Sequence, residues 1–323
     1  MKNNSLICKH IKSSLFFDNQ NKVRFCPYCS DFAADTNLDG IWLNIDKIEQ
    51  KRLELLKVQP KSCKDCKFYE TYSPKKEIPQ IKTLYIANWH FCYVDCVYCK
   101  SEKIEDLIKA KHYDFFPYFK ELEDKKLVNK DTKVVFVCEN SGDCCVHPEF
   151  DKIMFYFLNS GYKNIEVNTS AQRFCDSVAQ GIARDIAKVI IPFDSACQYV
   201  YNMVKQINKF QFALDNLKKY LTYQMPNKKN VIVKYTITSG VNDNKKEPVD
   251  LFILARDLGV KKLIFDVEQE LYEKSLDFLP LYLEEIIILL RDIAKYNAFD
   301  IEFTPRLNVL YKQIKERKNV QIR

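Results

Sequence analysis

Three thiols fall within eight residues of this sequence. Cys92-Tyr93-Val94-Asp95-Cys96-Val97-Tyr98-Cys99 sets them at C-x3-C-x2-C spacing. Clustered cysteines at such spacing bind metal. Three ligands cannot close a tetrahedral zinc site or fill every corner of a [4Fe–4S] cube. They can hold three irons of a cube and leave the fourth open, and an open metal position marks a site that binds something more. A second thiol group, Cys8, Cys26, Cys29, Cys63 and Cys66, lies upstream. Cys26-x2-Cys29 with Cys63-x2-Cys66 gives one reading of it, a zinc ribbon with an unusually long gap between the pairs.

The elements that must position these residues come in two parts. Residues 1–78 read as a small cysteine-rich domain with too few apolar residues to hold a fold without metal. Within it, Leu15-Phe16-Phe17 and Lys22-Val23-Arg24-Phe25 flank a polar turn and predict a hairpin. Lys47–Lys57 has the spacing of an amphipathic helix. Pro74 and Pro79 bracket a charged linker. Over 79–323, apolar strand-like runs alternate with amphipathic helical segments, the pattern of βα units around parallel strands. Strands are predicted at 81–87, 133–138, 164–168, 189–193, 231–238 and 262–267, with helices between them. A further strand at 299–303 and a helix at 307–314 follow. Ligands of parallel βα barrels gather at the C-terminal strand ends, and the thiol loop directly follows the first predicted strand.

Composition narrows the class. The chain of 323 residues is 47% hydrophobic and 13% aromatic, as globular proteins are. Its net charge of +7 is spread as scattered lysines, which reads as a solvated surface and predicts no nucleic-acid partner. Apolar runs such as Ile286–Leu290 are too short to span a bilayer, and Met1–Cys8 lacks a signal-peptide core. The expectation is a cytoplasmic protein with no membrane partner, whose 13 cysteines stay reduced.

The Cys92–Cys99 motif, with an aromatic residue at Tyr98, resembles the signature of the radical S-adenosylmethionine (radical SAM) enzymes. The resemblance implies a partial (β/α)6 TIM-like barrel of the α/β class, preceded here by the cysteine-rich domain. It implies that Cys92, Cys96 and Cys99 hold a [4Fe–4S] cluster whose open iron binds S-adenosylmethionine (SAM). One electron from the reduced cluster then cleaves SAM to methionine and a 5′-deoxyadenosyl radical, which takes a hydrogen atom from the substrate. Ser141-Gly142-Asp143, with His147-Pro148 beyond, is similar to the family's Gly-Gly-Glu segment, Asp143 accepting from the SAM ammonium. A turn capping the element before Pro148 is the other reading. Asn168, Thr169 and Ser170 are placed for the SAM carboxylate or ribose, and Asp194 for the substrate. Cys144, Cys145 or Cys197 could donate a hydrogen atom, with packing as the plainer role.

Cys8, Cys26, Cys63 and Cys66 look like the ligand set of a twitch domain, the shortened relative of the SPASM domain. That implies an auxiliary [4Fe–4S] cluster. Asn21 stands where the pattern has Gly, and the unit precedes the barrel instead of following it. The resemblance leaves oxidation or epimerisation of a small polar molecule, sugar-like or nucleotide-linked, as the expected outcome. A low-potential electron donor of flavodoxin or ferredoxin type is the implied partner. A peptide-modifying maturase and a zinc- or cluster-binding redox sensor are the alternatives.

Overall fold

Val134-Val135-Phe136, Val189-Ile190-Ile191 and Val231-Ile232-Val233 are β-branched or aromatic at each successive position. Such runs suit strands covered on both faces, as in parallel sheets. The computed structural model describes residues 6–18, 23–26, 46, 49–50, 52–54, 69–71, 80–99, 114–138, 142–273, 281–296 and 299–321. The chain divides into two units, Met1–Phe91 with Ile104–Val167, and Cys92–Lys103 with Asn168–Arg323.

The first unit runs β1 (Leu6–Cys8), α1 (Lys9–Ser13), β2 (Ser14–Phe17), β3 (Val23–Arg24), β4 (Tyr69–Thr71) and β5 (Thr83–Ile86). It continues with α2 (Phe116–Asp124), β6 (Lys133–Phe136), a 3-10 turn (Cys144–Val146), α3 (Phe150–Asn159) and β7 (Ile165–Asn168). Strands β2, β5, β6 and β7 pair in parallel, in that order. The expected hairpin forms, with Phe17 opposite Val23. Helix α3 buries Phe150, Ile153, Met154, Phe157 and Leu158, the stripe its sequence predicts.

Sheet pairing links the cysteine-rich stretch to the first strand after the linker. Ser14–Phe17 lies beside Thr83–Ile86 in register, so the sheet runs across the boundary placed after residue 78. The reason is local. Leu15, Phe16 and Phe17 are apolar in succession and each is at most 1% exposed. Such a triplet needs cover on both faces, which a strand inside a parallel sheet receives.

The second unit runs α4 (Asp176–Ala183), β8 (Ala187–Pro192), α5 (Gln198–Lys205), α6 (Phe210–Thr222), β9 (Val231–Ile237) and α7 (Lys246–Asp257). Then come β10 (Lys262–Val267), α8 (Gln269–Glu273), α9 (Leu281–Tyr296), β11 (Asp300–Phe303) and α10 (Pro305–Gln321). Strands β8, β9, β10 and β11 pair in parallel. Ile190, Ile232 and Ile264 form a buried layer between them. Strands β5 to β10 occupy the six segments expected to be strands, and β11 the seventh. Helix α5 is an addition that the sequence pattern did not announce. Among the described residues no helix is long and apolar enough to cross a membrane.

Candidate active site

The thiol loop belongs to the second unit, where α5 holds it. The amide of Asp95 donates to the carbonyl of Lys205 at 2.9 Å, and that of Val97 to Val204 at 2.9 Å. These carbonyls end α5, where a helix has no internal donors left to offer. Cys99 N donates to Cys96 O at 2.8 Å and closes a tight turn. Cys92 and Cys96 are half-buried and Cys99 is exposed. The backbone is therefore fixed while the thiols present surface, as ligand-holding side chains must.

Under the loop sits a buried ion pair. Asp194 follows β8 with φ of 59°, a left-handed turn that Asp tolerates better than most residues. The turn sends its carboxylate inward. Oδ1 accepts from Thr236 N at 2.6 Å. Oδ2 accepts from the Tyr98 hydroxyl at 2.6 Å and from Lys205 Nζ at 2.5 Å. Asn242 Nδ2 donates to the Asp194 carbonyl at 2.8 Å and so locks the turn. Burial pulls the Lys205 ammonium down, but Asp194, with Cys96, Tyr98 and Tyr201 behind it, outweighs burial, and together they hold the group well above its ordinary value. Burial, then Asp194, push the Tyr98 phenol well up. Burial also raises the Cys96 thiol, opposed in part by Lys205.

Asp194 thus differs from expectation. It is fully buried, with its oxygens committed to the loop, to Lys205 and to β9, and it presents nothing to a substrate. It positions Tyr98 and the cysteine turn instead. Lys205 was not singled out by sequence reasoning. Lys205 is one of 50 basic residues, and its only signal is a cation in the last turn of a helix.

Ser195 is buried, donating to Glu247 Oε2 at 2.8 Å and accepting from Cys197 N at 2.9 Å. Cys197 caps α5 and is exposed. Thr169 is wholly buried, and its hydroxyl accepts from Ala171 N at 3.1 Å, so it shapes the turn after β7. Ser170 is buried as well, and Asn168 is half-buried. From the middle of β9, Lys234 Nζ lies 2.7 Å from Oδ2 of Asp266, near the end of β10, and Arg306 Nη2 lies 2.8 Å from the same oxygen. Both cations are partly exposed. Lys234 shares its strand face with Ile232, while Tyr235 points to the other face.

In the first unit, Gly142 and Asp143 are buried. Asp143 Oδ1 accepts from Cys145 N at 3.0 Å and caps the 3-10 turn. The segment thus forms a capped turn with the Asp143 side chain buried. Ser141 lies outside the described residues. Cys8 and Cys26 are buried, with Cys8 opposite Tyr69 in the β1–β4 pair. Cys29, Cys63 and Cys66 lie outside the described residues, as do most of 47–57.

No protein-family model matches the chain, and no curated protein matches it either. Solved structures do. Streptococcus suis SuiB bound to precursor peptide SuiA is 11% identical, with a TM-score of 0.56 over 88% of this chain and 60% of that one. SuiB bound to S-adenosylmethionine is 12% identical, with a TM-score of 0.52 over 88% of this chain and 58% of that one. A third SuiB structure is 9% identical, with a TM-score of 0.51 over 94% of this chain and 71% of that one. The chain thus spans about 60% of the length of the first of these. Its α/β fold of mostly parallel strands is similar to that of SuiB.

Proposed function

We propose that this chain is a radical SAM enzyme acting on a polar substrate. The observation that carries the reading is the anchored loop, with Cys92, Cys96 and Cys99 at its surface and its backbone fixed on α5. Three thiols are the donor set a [4Fe–4S] cluster needs when one iron stays open. When bound, that cluster supplies the electron for reductive cleavage of SAM to methionine and a 5′-deoxyadenosyl radical.

The chain's own residues orient and shield. Asp194 and Lys205 hold the Tyr98 side of the loop, and Tyr98 closes it against water. Asn168 and Ser170 supply amide and hydroxyl groups for SAM, and Asn168 is the more accessible of the two. Lys234, within β9, and Arg306, in the first turn after β11, present partly exposed donors that a polar, sugar-like or nucleotide-linked substrate would meet. In an epimerisation, Cys197 donates a hydrogen atom. Its S–H bond breaks as the substrate C–H bond forms, and the thiyl regains an electron from the low-potential donor and a proton from water. An oxidation needs no such donor; Cys8, Cys26, Cys63 and Cys66 would hold an auxiliary cluster, which would supply an electron acceptor. A flavodoxin or ferredoxin in the cytoplasm is the proposed electron source. A peptide substrate is the second reading, because the SuiB fold resemblance includes a peptide-bound structure.

Anaerobic iron and sulfide analysis with electron paramagnetic resonance tests this. The reduced Cys92–Cys99 cluster should change its signal on addition of SAM. A chain that binds zinc but no iron, or a signal indifferent to SAM, points to the metal-binding regulator instead.

A further inference from the structure

Two cations share one buried carboxylate in the second unit. Asp266 Oδ1 accepts from Val267 N at 2.9 Å and from Thr304 Oγ1 at 2.5 Å. Its Oδ2 meets Lys234 Nζ at 2.7 Å and Arg306 Nη2 at 2.8 Å. One cation is enough to pair a carboxylate. The second leaves an excess positive charge and repels the first. Arg306 adds another mismatch. It lies in the first turn of α10, a helix of 17 residues, where the helix dipole favours anions over cations. That turn holds no acidic residue.

Exposure separates this group from the ion pair beneath the cysteine turn. Lys205 and Asp194 are both sealed, at 1% and 0% exposed. Here the acid is sealed at 2%, whereas Lys234 is 25% and Arg306 31% exposed. An ammonium carries three donors and a guanidinium five. Asp266 takes one from each cation, and among the described residues neither has a second partner. The buried acid therefore fixes the cations and leaves donors for a ligand.

The group also stands on the face of the sheet that leads to the cysteine turn. Tyr235, Phe265 and Phe303 pack on the opposite face, with Arg291 of α9 over the Phe303 ring. Asp266 is opposite Thr236 in register, and Thr236 N donates to Asp194 Oδ1. Adjacent strands are ~4.8 Å apart, so Asp266 and Asp194 stand about 10 Å from each other across β9.

We propose that Lys234 and Arg306 bind a phosphoryl group of the substrate. A phosphate monoester carries a charge of about −1.5 to −2 at neutral pH, enough to offset the excess cation and the helix end together. Its oxygens accept the guanidinium fork and the ammonium at once. A carboxylate, with a single charge and two oxygens, offsets less. The phosphoryl end sits at Arg306, and the rest of the molecule extends toward the cysteine turn. The part played by this anion as substrate rests on the radical SAM reading; the anion site does not.

The test uses the full chain with its iron–sulfur clusters assembled and inorganic phosphate as the probe, with binding followed by calorimetry. Lys234→Met and Arg306→Gln should each weaken phosphate binding about tenfold or more, and Arg306→Lys should restore only part of the loss. Lys262→Gln, which shares the sheet face but pairs with Glu302, should bind phosphate as the unaltered chain does. Should the variants fail to fold, phenylglyoxal labelling of the unaltered chain reads the same site. Phosphate should protect Arg306 and leave the exposed Arg256 open to the reagent. Phosphate affinity unaltered in both Lys234→Met and Arg306→Gln overturns the proposal, as does Arg306 labelled equally fast with and without phosphate. Acetate bound as tightly as phosphate overturns it too. Phosphate held here by a chain that forms no 5′-deoxyadenosine upholds the anion site and contradicts the enzyme reading instead.

Discussion

Lys205 Nζ lies 2.5 Å from Asp194 Oδ2, and both side chains are at most 1% exposed. The pair sits directly beneath the cysteine turn, because Lys205 also donates to the Tyr98 hydroxyl at 3.0 Å. Breaking one side of a buried pair leaves an uncompensated charge and costs about 3–5 kcal/mol. Lys205→Met should lower chain stability by that amount in denaturant unfolding. Lys205→Met with Asp194→Asn should lose less than the two single changes summed, and a strictly additive double variant would refute the coupling.

Tyr98→Phe tests the loop without removing its ring. It deletes the donor to Asp194 and the acceptor of Lys205, for an expected loss of about 1.5–3 kcal/mol. Iron bound at Cys92, Cys96 and Cys99 should persist, since none of the ligands is touched. Tyr98→Phe protein without iron would show that the hydroxyl does more than hold the turn.

Asp266 gives the fold a defined acid response. Burial opposes its ionisation, but Lys234 and Arg306 outweigh that and hold the carboxyl at about 2. An unfolded Asp titrates near 3.9, so the contribution is complete above about pH 4 and lost as pH falls through the folded value. The difference corresponds to about 2.6 kcal/mol. Stability measured from pH 6 to pH 2 should fall less steeply in Asp266→Asn. Parallel curves for the two proteins would refute the assignment.

The upstream thiols separate cluster from zinc by metal count. Two [4Fe–4S] clusters carry about eight irons per chain. Cys8→Ala should remove half of that iron and Cys29→Ala none. Equal zinc loss from Cys26→Ala and Cys29→Ala would place a ribbon there.

Much of the fold was legible because its signals are local. Strands β5 to β10 are short segments rich in β-branched and other apolar residues, and α3 carries five inward apolar residues at helical spacing. Helix α5 was not legible. Its eight residues bury only Tyr201, Val204 and Lys205, too short a stripe to show a period. The partnership of β2 with β5 is set by sheet pairing between segments far apart in sequence, which no local pattern encodes. At the site, the three thiols of the loop could be read from spacing alone. Asp194 was noticed but given the wrong direction, because its left-handed turn, and with it the burial of the carboxylate, has no marker in the sequence. Lys205 became visible only once α5 brought it beneath Tyr98. Asp143 could be read two ways, and its buried side chain accepts from the amide of Cys145.

The central claim is that the Cys92–Cys99 loop supports reductive cleavage of SAM. Reconstituted chain, given SAM and a strong reductant without oxygen, should form 5′-deoxyadenosine, and Cys92→Ala should form none. Iron-loaded protein that yields no 5′-deoxyadenosine, or a yield unchanged in Cys92→Ala, would contradict it.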